Sequence, residues 1–343
     1  MDKFLGDDNK CVELLQVYNQ LQDEESKEIY KARSFYSLTD NKECMKEIVS
    51  NSVLSKYLRN NIKQQDKKIV LFGAGTWGKA IVEFLDDIHW DYIIDNKKAG
   101  CQIGWYTINS LDYLKDYNSC YFVIALLFKY NEVMQQLLNY GVNRSNILVL
   151  GEIAEQKQYF DLPYLKLSDN EVFLDIGGFS GETSEQFIKE TKGKYKRIYV
   201  FEPNKELAEK CRNRLSKYDN CEVIEKGCWS GTTELGFNCA GEGSTIVDSD
   251  NVEFTIETTS IDEIIAGNEV TYIKMDIEGA EYEALLGAEK TIKKYSPKLA
   301  ISIYHKRLDI WRIPILLLSY NPSYKLYFRT YSFSGNDTVL YAI

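Results

Sequence analysis

Apolar residues recur with two different spacings along this chain. In residues 1–66 they keep helical spacing: Val12, Leu14, Leu15, Tyr18 and Leu21, then Met45, Ile48, Val49, Leu54, Tyr57 and Leu58, with charged residues on the other faces. This predicts a packed helical cap or an oligomerisation element. At Lys67 the pattern changes to short apolar runs that end in glycine or acid and alternate with helical stretches. KKIVLFGAGTWGKAIVEFL is a strand, a glycine turn and a helix; DYIIDN, YFVIAL and NILVLG are further strands, with helices expected from about Asn109 and at 131–139. Residues 67–152 thus read as a small Rossmann-like domain.

Pro163 marks a connector, and a second series occupies 153–343. Its strands are Val172–Ile176, Ile198–Phe201, CEVIEKG (221–227), Thr271–Met275 and LAISIYH (299–305). Between 231 and 260 polar and apolar residues alternate with period two, as in GEGSTI and Val252, Phe254 and Ile256, which predicts a β-insertion. The fold class expected is α/β, with two Rossmann-like units and helices before the first.

Composition narrows the function. A chain of 343 residues can bury two cores. A net charge of -10 argues against a nucleic-acid partner, which calls for clustered Lys and Arg. The opening MDKFLGDDNKCVELL lacks a signal-peptide pattern, and no apolar run approaches the about 18 residues of a membrane span. The eight cysteines form no C-x-x-C pair and only His89 and His305 could assist them, so reduced thiols in a cytoplasmic protein are expected instead of a zinc site.

The chemistry sits at two glycine turns. Gly73, Gly75 and Gly78, with Thr76 and Trp77 between them, complete a G-x-G-x-x-G from strand to helix, and Asp95 ends the next strand where an acid can hold a ribose hydroxyl. Three readings stay open: a dinucleotide for hydride transfer, a nucleotide or nucleotide-linked sugar, or a scaffold in which Gly75 and Gly78 serve close packing. This unit resembles the N-terminal domains of bacterial sugar-modifying enzymes, such as acetyltransferases that hold a nucleotide-sugar there.

The second turn, within EVFLDIGGFSGET, places Asp175 at the strand tip. A carboxylate there repels a pyrophosphate but suits the ammonium and hydroxyl groups of S-adenosylmethionine. Glu202, at the tip of the next strand, can accept hydrogen bonds from both ribose hydroxyls; Pro203 ends that strand and Asn204 caps the following helix. Cys228 and Trp229 follow the third strand, on the adenine side. VTYIKMDIEGAEYEALLGA then carries Asp276, Glu278, Glu281 and Glu283, with Lys274 at hand to pair with one of them.

DIGGFSGET, FEPN and KMDIEGAE together closely resemble the FkbM family of S-adenosylmethionine-dependent methyltransferases, over about residues 158–343. The resemblance implies a class I methyltransferase sheet and O-methylation of a sugar or glycan-precursor hydroxyl. By position, Asp175, Gly177, Gly178, Phe179, Gly181, Glu182 and Thr183 would cradle the methionine end. Glu202, with Pro203 and Asn204, would hold the ribose, Cys228 and Trp229 would line the adenine, and Asp276 and Glu278 would lie beside methyl group and acceptor. His305, at a strand's C-terminal edge, is the candidate base, with Asp276 competing. A divalent metal on Asp276 and Glu278 is a third route to the same chemistry. The rival function is a nucleotide-sugar-binding or NAD-dependent redox protein built around Gly73–Gly78. The acceptor and the reacting hydroxyl stay open.

Overall fold

The computed structural model describes residues 8–240, 243–246 and 254–343. Gly241, Glu242 and Val252 of the expected β-insertion lie outside the described residues. The chain groups into two compact units, residues 31–158 with 329–338, and residues 1–30 with 159–328 and 339–343.

In the first unit the strands are β1 (Lys68–Phe72), β2 (Tyr92–Ile94), β3 (Gln102–Ile103), β4 (Tyr106–Asn109), β5 (Cys120–Ile124) and β6 (Ile147–Val149), in the order β3-β4-β2-β1-β5-β6. All pairs are parallel except the β3–β4 hairpin. Both faces of β1 are covered, as its unbroken apolar run requires. Leu71 faces a core with Leu54, Leu58, Trp77, Ile81 and Trp90, while Val70 and Phe72 face another with Phe122, Ile124 and Leu137. The helix expected from about Asn109 is a single turn, Leu111–Tyr113. Asp116 explains the rest: its carboxylate accepts from the Asn118 N–H, a local bond that favours a turn over a helix.

The second unit holds β7 (Val172–Ile176), β8 (Arg197–Phe201), β9 (Cys221–Ile224), β10 (Gly227–Cys228), β11 (Glu234–Ala240), β12 (Gly243–Ile246), β13 (Phe254–Thr259), β14 (Tyr272–Met275), β15 (Lys298–Ser302), β16 (Leu326–Thr330) and β17 (Thr338–Ala342). Its main sheet runs β16-β17-β15-β14-β7-β8-β9, and β17 is antiparallel to β15. Strands β9, β8, β7, β14 and β15 are parallel, so their C-terminal tips share one edge. The order reverses beside β7: β8 and β9 follow it on one side, β14 and β15 lie on the other. Such a switch point opens a crevice at the strand tips, where open α/β sheets place ligands. The β-insertion exists as a four-stranded sheet, β10-β13-β11-β12. The expected α/β class with two Rossmann-like units holds.

Beneath the crevice, Phe173 stacks on Phe187 at 4.3 Å between ring centroids and lies 5.1 Å from Tyr272, anchoring the helix Glu182–Glu190 to the sheet. That helix is also clamped by charge. Glu185 meets Lys217 at 2.8 Å and Arg214 at 3.2 Å and accepts from the Tyr218 hydroxyl. Lys217, helped by Tyr218 and Arg214, pulls its carboxyl down to about 2 against the opposing effect of burial.

Two stability predictions follow from these contacts. A Cβ on Gly78 would stand 1.9 Å from the Gly73 carbonyl oxygen, so Gly78→Ala must push the helix Thr76–Phe84 off β1. Overpacking of this kind costs about 1–3 kcal/mol, and calorimetry should show a lowered melting temperature. Glu185 titrates lower folded than unfolded, so its stabilisation is present above about pH 4 and is lost as pH falls toward 2. Glu185→Gln should therefore melt earlier than the parent at pH 7, with the gap closing through that window.

Candidate active site

The glycine turn after β7 is built by close approach. Gly177 has φ +82°, and a Cβ there would meet the Asp276 carbonyl oxygen at 1.9 Å. A Cβ on Gly178 would meet Val200 Cγ1 at 2.1 Å. The turn is thus wedged between the tips of β14 and β8, and its N–H groups at Gly177 and Gly178 donate to the Phe201 carbonyl. Gly181, φ +89°, precedes the helix Glu182–Glu190. Phe179 projects into solvent from this turn with φ +49°.

Asp175 lies fully buried behind the turn. Its Oδ1 is 3.0 Å from Lys274 Nζ, and its Oδ2 accepts from the Ser184 hydroxyl at 2.7 Å. Lys274, itself buried, also donates to the Gly177 carbonyl at 2.6 Å. The lysine therefore pairs across the sheet with Asp175 and not with an acid of its own segment. Glu202 faces the same turn: Oε2 accepts from the Phe179 N–H at 2.9 Å and Oε1 from the Asn204 N–H at 2.9 Å. Burial pushes its carboxyl up, against those two N–H groups and Lys274. Each oxygen keeps a lone pair for a hydroxyl. Asn204 caps the helix Lys205–Leu215 as expected, accepting from Glu206 and Leu207.

Around the turn, Glu182 is exposed and its carboxylate is held by Ser180 and Arg214; Thr183 is half-buried. Pro203 is half-buried beside Glu202, and the Cys228 thiol is buried on β10. Trp229 is half-buried, with its backbone N–H donated to the Thr259 carbonyl.

A second cluster occupies the tips of β14 and β15. His305 Nδ1 is 3.0 Å from Glu281 Oε1, while Nε2 is 3.3 Å from Glu278 Oε2 and 3.5 Å from Asp276 Oδ1. Burial alone would lower the imidazole, but Glu278, Glu281 and Asp276 raise it to about 10, so it carries its proton at neutral pH. Asp276 Oδ2 accepts from the buried Tyr159 hydroxyl at 2.6 Å. Glu278 is exposed and sits at φ +55°, before Gly279 at φ +97°. Glu281 and Asp309 are fully buried. Burial, then the charge of Glu281, raises Asp309 to about 6. Tyr159 and Asp309 were not singled out from sequence; Tyr159 stands 117 residues from Asp276, and no motif links them.

In the first unit, the glycine loop after β1 is largely committed to structure. Trp77 is buried edge-on to Phe333 at 5.3 Å, and Gly78 packs against Gly73. Asp95 Oδ2 accepts from the Ala74 N–H and Oδ1 from the N–H groups of Lys97 and Lys98. Thr76 is exposed, and space over Gly75 is open.

Among the described residues no helix is long and apolar enough to cross a membrane. No curated protein matches the chain. A solved FkbM methyltransferase from Methylobacillus flagellatus KT has 20% identity and a TM-score of 0.50, covering 92% of this chain and 98% of that one. An Aeropyrum pernix fibrillarin solved with natively bound S-adenosyl-L-methionine has 12% identity and a TM-score of 0.37, covering 56% of this chain and 74% of that one. Residues 175–325 match the family described as the methyltransferase FkbM domain. They span the glycine turn, Glu202, Asp276 and His305 alike, and this stretch of the second unit belongs to the FkbM methyltransferase family.

Proposed function

We propose that residues 153–343 use S-adenosylmethionine to methylate a hydroxyl of a sugar or glycan precursor. The observation that carries this reading is the pairing of two acids with one glycine turn. Asp175 braces the turn from behind through Lys274 and Ser184, and Glu202 fronts it through the Phe179 N–H. The turn aims the N-terminus of the helix Glu182–Glu190, with its first N–H groups, at a carboxylate, while Glu202 offers lone pairs to ribose hydroxyls. Gly177, Gly178, Phe179, Gly181, Glu182 and Thr183 would then surround the methionine end, and Cys228 and Trp229 the adenine.

Transfer is an in-line displacement: the acceptor oxygen attacks the methyl carbon, the carbon–sulfur bond breaks, and S-adenosylhomocysteine leaves. The acceptor proton must go to a group at the same edge. The proposed group is Asp276, whose Oδ1 is left over from the Tyr159 bond and faces the protonated His305 Nε2, which orients it. Glu278, exposed beside them, would meet the acceptor. Correct placement of donor and acceptor supplies much of the rate in such a reaction.

A nucleotide or nucleotide-sugar at the Gly73–Gly78 loop is the second reading. Exposed Thr76 and the open space over Gly75 favour it, at the N-terminus of the helix Thr76–Phe84. Thermal-shift screening with S-adenosylhomocysteine, NAD and nucleotide-sugars separates the two, and stabilisation by NAD alone would favour the redox rival.

Calorimetric titration with S-adenosylmethionine should show Glu202→Gln weakening binding by about 10–100-fold, the worth of about 1–3 kcal/mol for a charged hydrogen bond. Asp175→Ala should abolish binding, and unchanged affinity there would sink the donor site. His305→Ala should lower kcat by about 100-fold or more, the usual scale of acid–base assistance, with donor affinity nearly unchanged. Incubating a glycan and nucleotide-sugar library with labelled donor identifies the acceptor by mass spectrometry.

A further inference from the structure

The cluster at the tips of β14 and β15 holds more lone pairs than its own hydrogen bonds use. Asp276 Oδ2 is pinned by the Tyr159 hydroxyl, and Glu281 Oε1 by the Ile277 N–H at 2.9 Å. The other oxygen of each, Asp276 Oδ1 and Glu281 Oε2, is buried with no hydrogen-bond partner. Both nitrogens of His305 are in the same condition, although its side chain is only 10% exposed. Their short contacts with carboxylates lack hydrogen-bond direction. Fully buried Asp309 has neither oxygen hydrogen-bonded and interacts electrostatically with Glu281 and His305. Leaving such groups unsatisfied is costly, and more so for charges.

We propose that Asp276, Glu281 and His305 form a binding site for a divalent first-row transition ion. One ligand atom from each residue lies within 4.8 Å of the others, so a small inward shift of these side chains would bring all three to the bonds of about 2.0–2.2 Å that a central ion takes. An ion draws on lone pairs without requiring a directed N–H or O–H, and on His305 it would replace the proton that the surrounding carboxylates otherwise hold there. One imidazole nitrogen with two carboxylate oxygens suits ions of the manganese-to-zinc class better than magnesium or calcium, whose sites are built of oxygen. Tyr159 and the Ile277 N–H act as the outer groups that fix how each carboxylate turns, a role such partners commonly have around metals. Glu281, not the exposed Glu278, completes the set with Asp276. Three protein ligands leave positions open for an acceptor oxygen, but the site does not depend on the donor reading.

The test uses the full chain, stripped with a chelator and titrated with Mn²⁺ alone by electron paramagnetic resonance, then with Zn²⁺ alone by equilibrium dialysis. One ion per chain should bind, and Glu281→Gln and Asp276→Asn should each weaken it by at least about 10-fold. Glu225→Gln, at an exposed pair with Arg212, should bind as the parent does. No saturable binding of either ion, or unchanged affinity in the two ligand variants, overturns the proposal. Should Glu281→Gln fail to fold, Asp276→Asn alone decides, since Asp276 keeps a partly exposed side chain. Because metal binding is read without donor, its failure leaves the methyl-transfer reading untouched.

Discussion

Asp175 and Lys274 form an ion pair at 3.0 Å with almost no contact with solvent, and the active edge of the second unit hangs on it. Desolvating both charges is costly, and removing one partner of such a pair typically costs about 3–5 kcal/mol. What the pair secures is geometry. Lys274 reaches from β14 to Asp175 on β7 and to the Gly177 carbonyl, so the strand tip and the turn are tied to one ammonium. Ser184 ties the first turn of the following helix to the same carboxylate. With these anchors in place, Glu202 can bond the Phe179 N–H and hold the front of the turn.

The same lysine lies 5.4 Å from the Tyr159 ring, and the Tyr159 hydroxyl bonds Asp276. The two clusters at the sheet edge are therefore joined through a side chain outside every motif. One cluster is closed, its acids answered by an ammonium, a hydroxyl and backbone N–H groups. The other is open, with acids gathered around a single imidazole. A closed cluster suits a scaffold that must not move, and an open one suits a place where something arrives.

Much of this was legible in the chain. Apolar runs ending in glycine or acid located the strands because a strand buried on both faces has few other ways to be written. Asp175, Glu202 and Asp276 fall at strand tips, so parallel pairing brings them to one edge. What was less legible has physical causes. Trp77, Gly78 and Asp95 match a dinucleotide fingerprint, yet Trp77 packs on Phe333 and Asp95 bonds the backbone of its own loop. A fingerprint records where small residues and acids stand, and packing needs them there too. The partner of Lys274 lies on a neighbouring strand 99 residues away, beyond what local spacing can show. The helix expected from about Asn109 is cut to one turn, and the Asp116 carboxylate beyond it bonds the Asn118 N–H in a local turn instead.

The second unit is assembled from both ends of the chain. Val17, Leu21, Ile29 and Tyr30 share a core with Leu326, Phe328 and Leu340; the Gln22 N–H donates to the Leu326 carbonyl, and the Ser26 hydroxyl accepts from the Phe328 N–H. On the ribosome these early helices emerge about 300 residues before the strands they pack against. Their apolar faces must wait, uncovered, while the first Rossmann-like unit is synthesised. The second unit can close its core only after residue 340 has been made, and a fragment beginning at residue 153 would leave Leu326 and Phe328 without these partners.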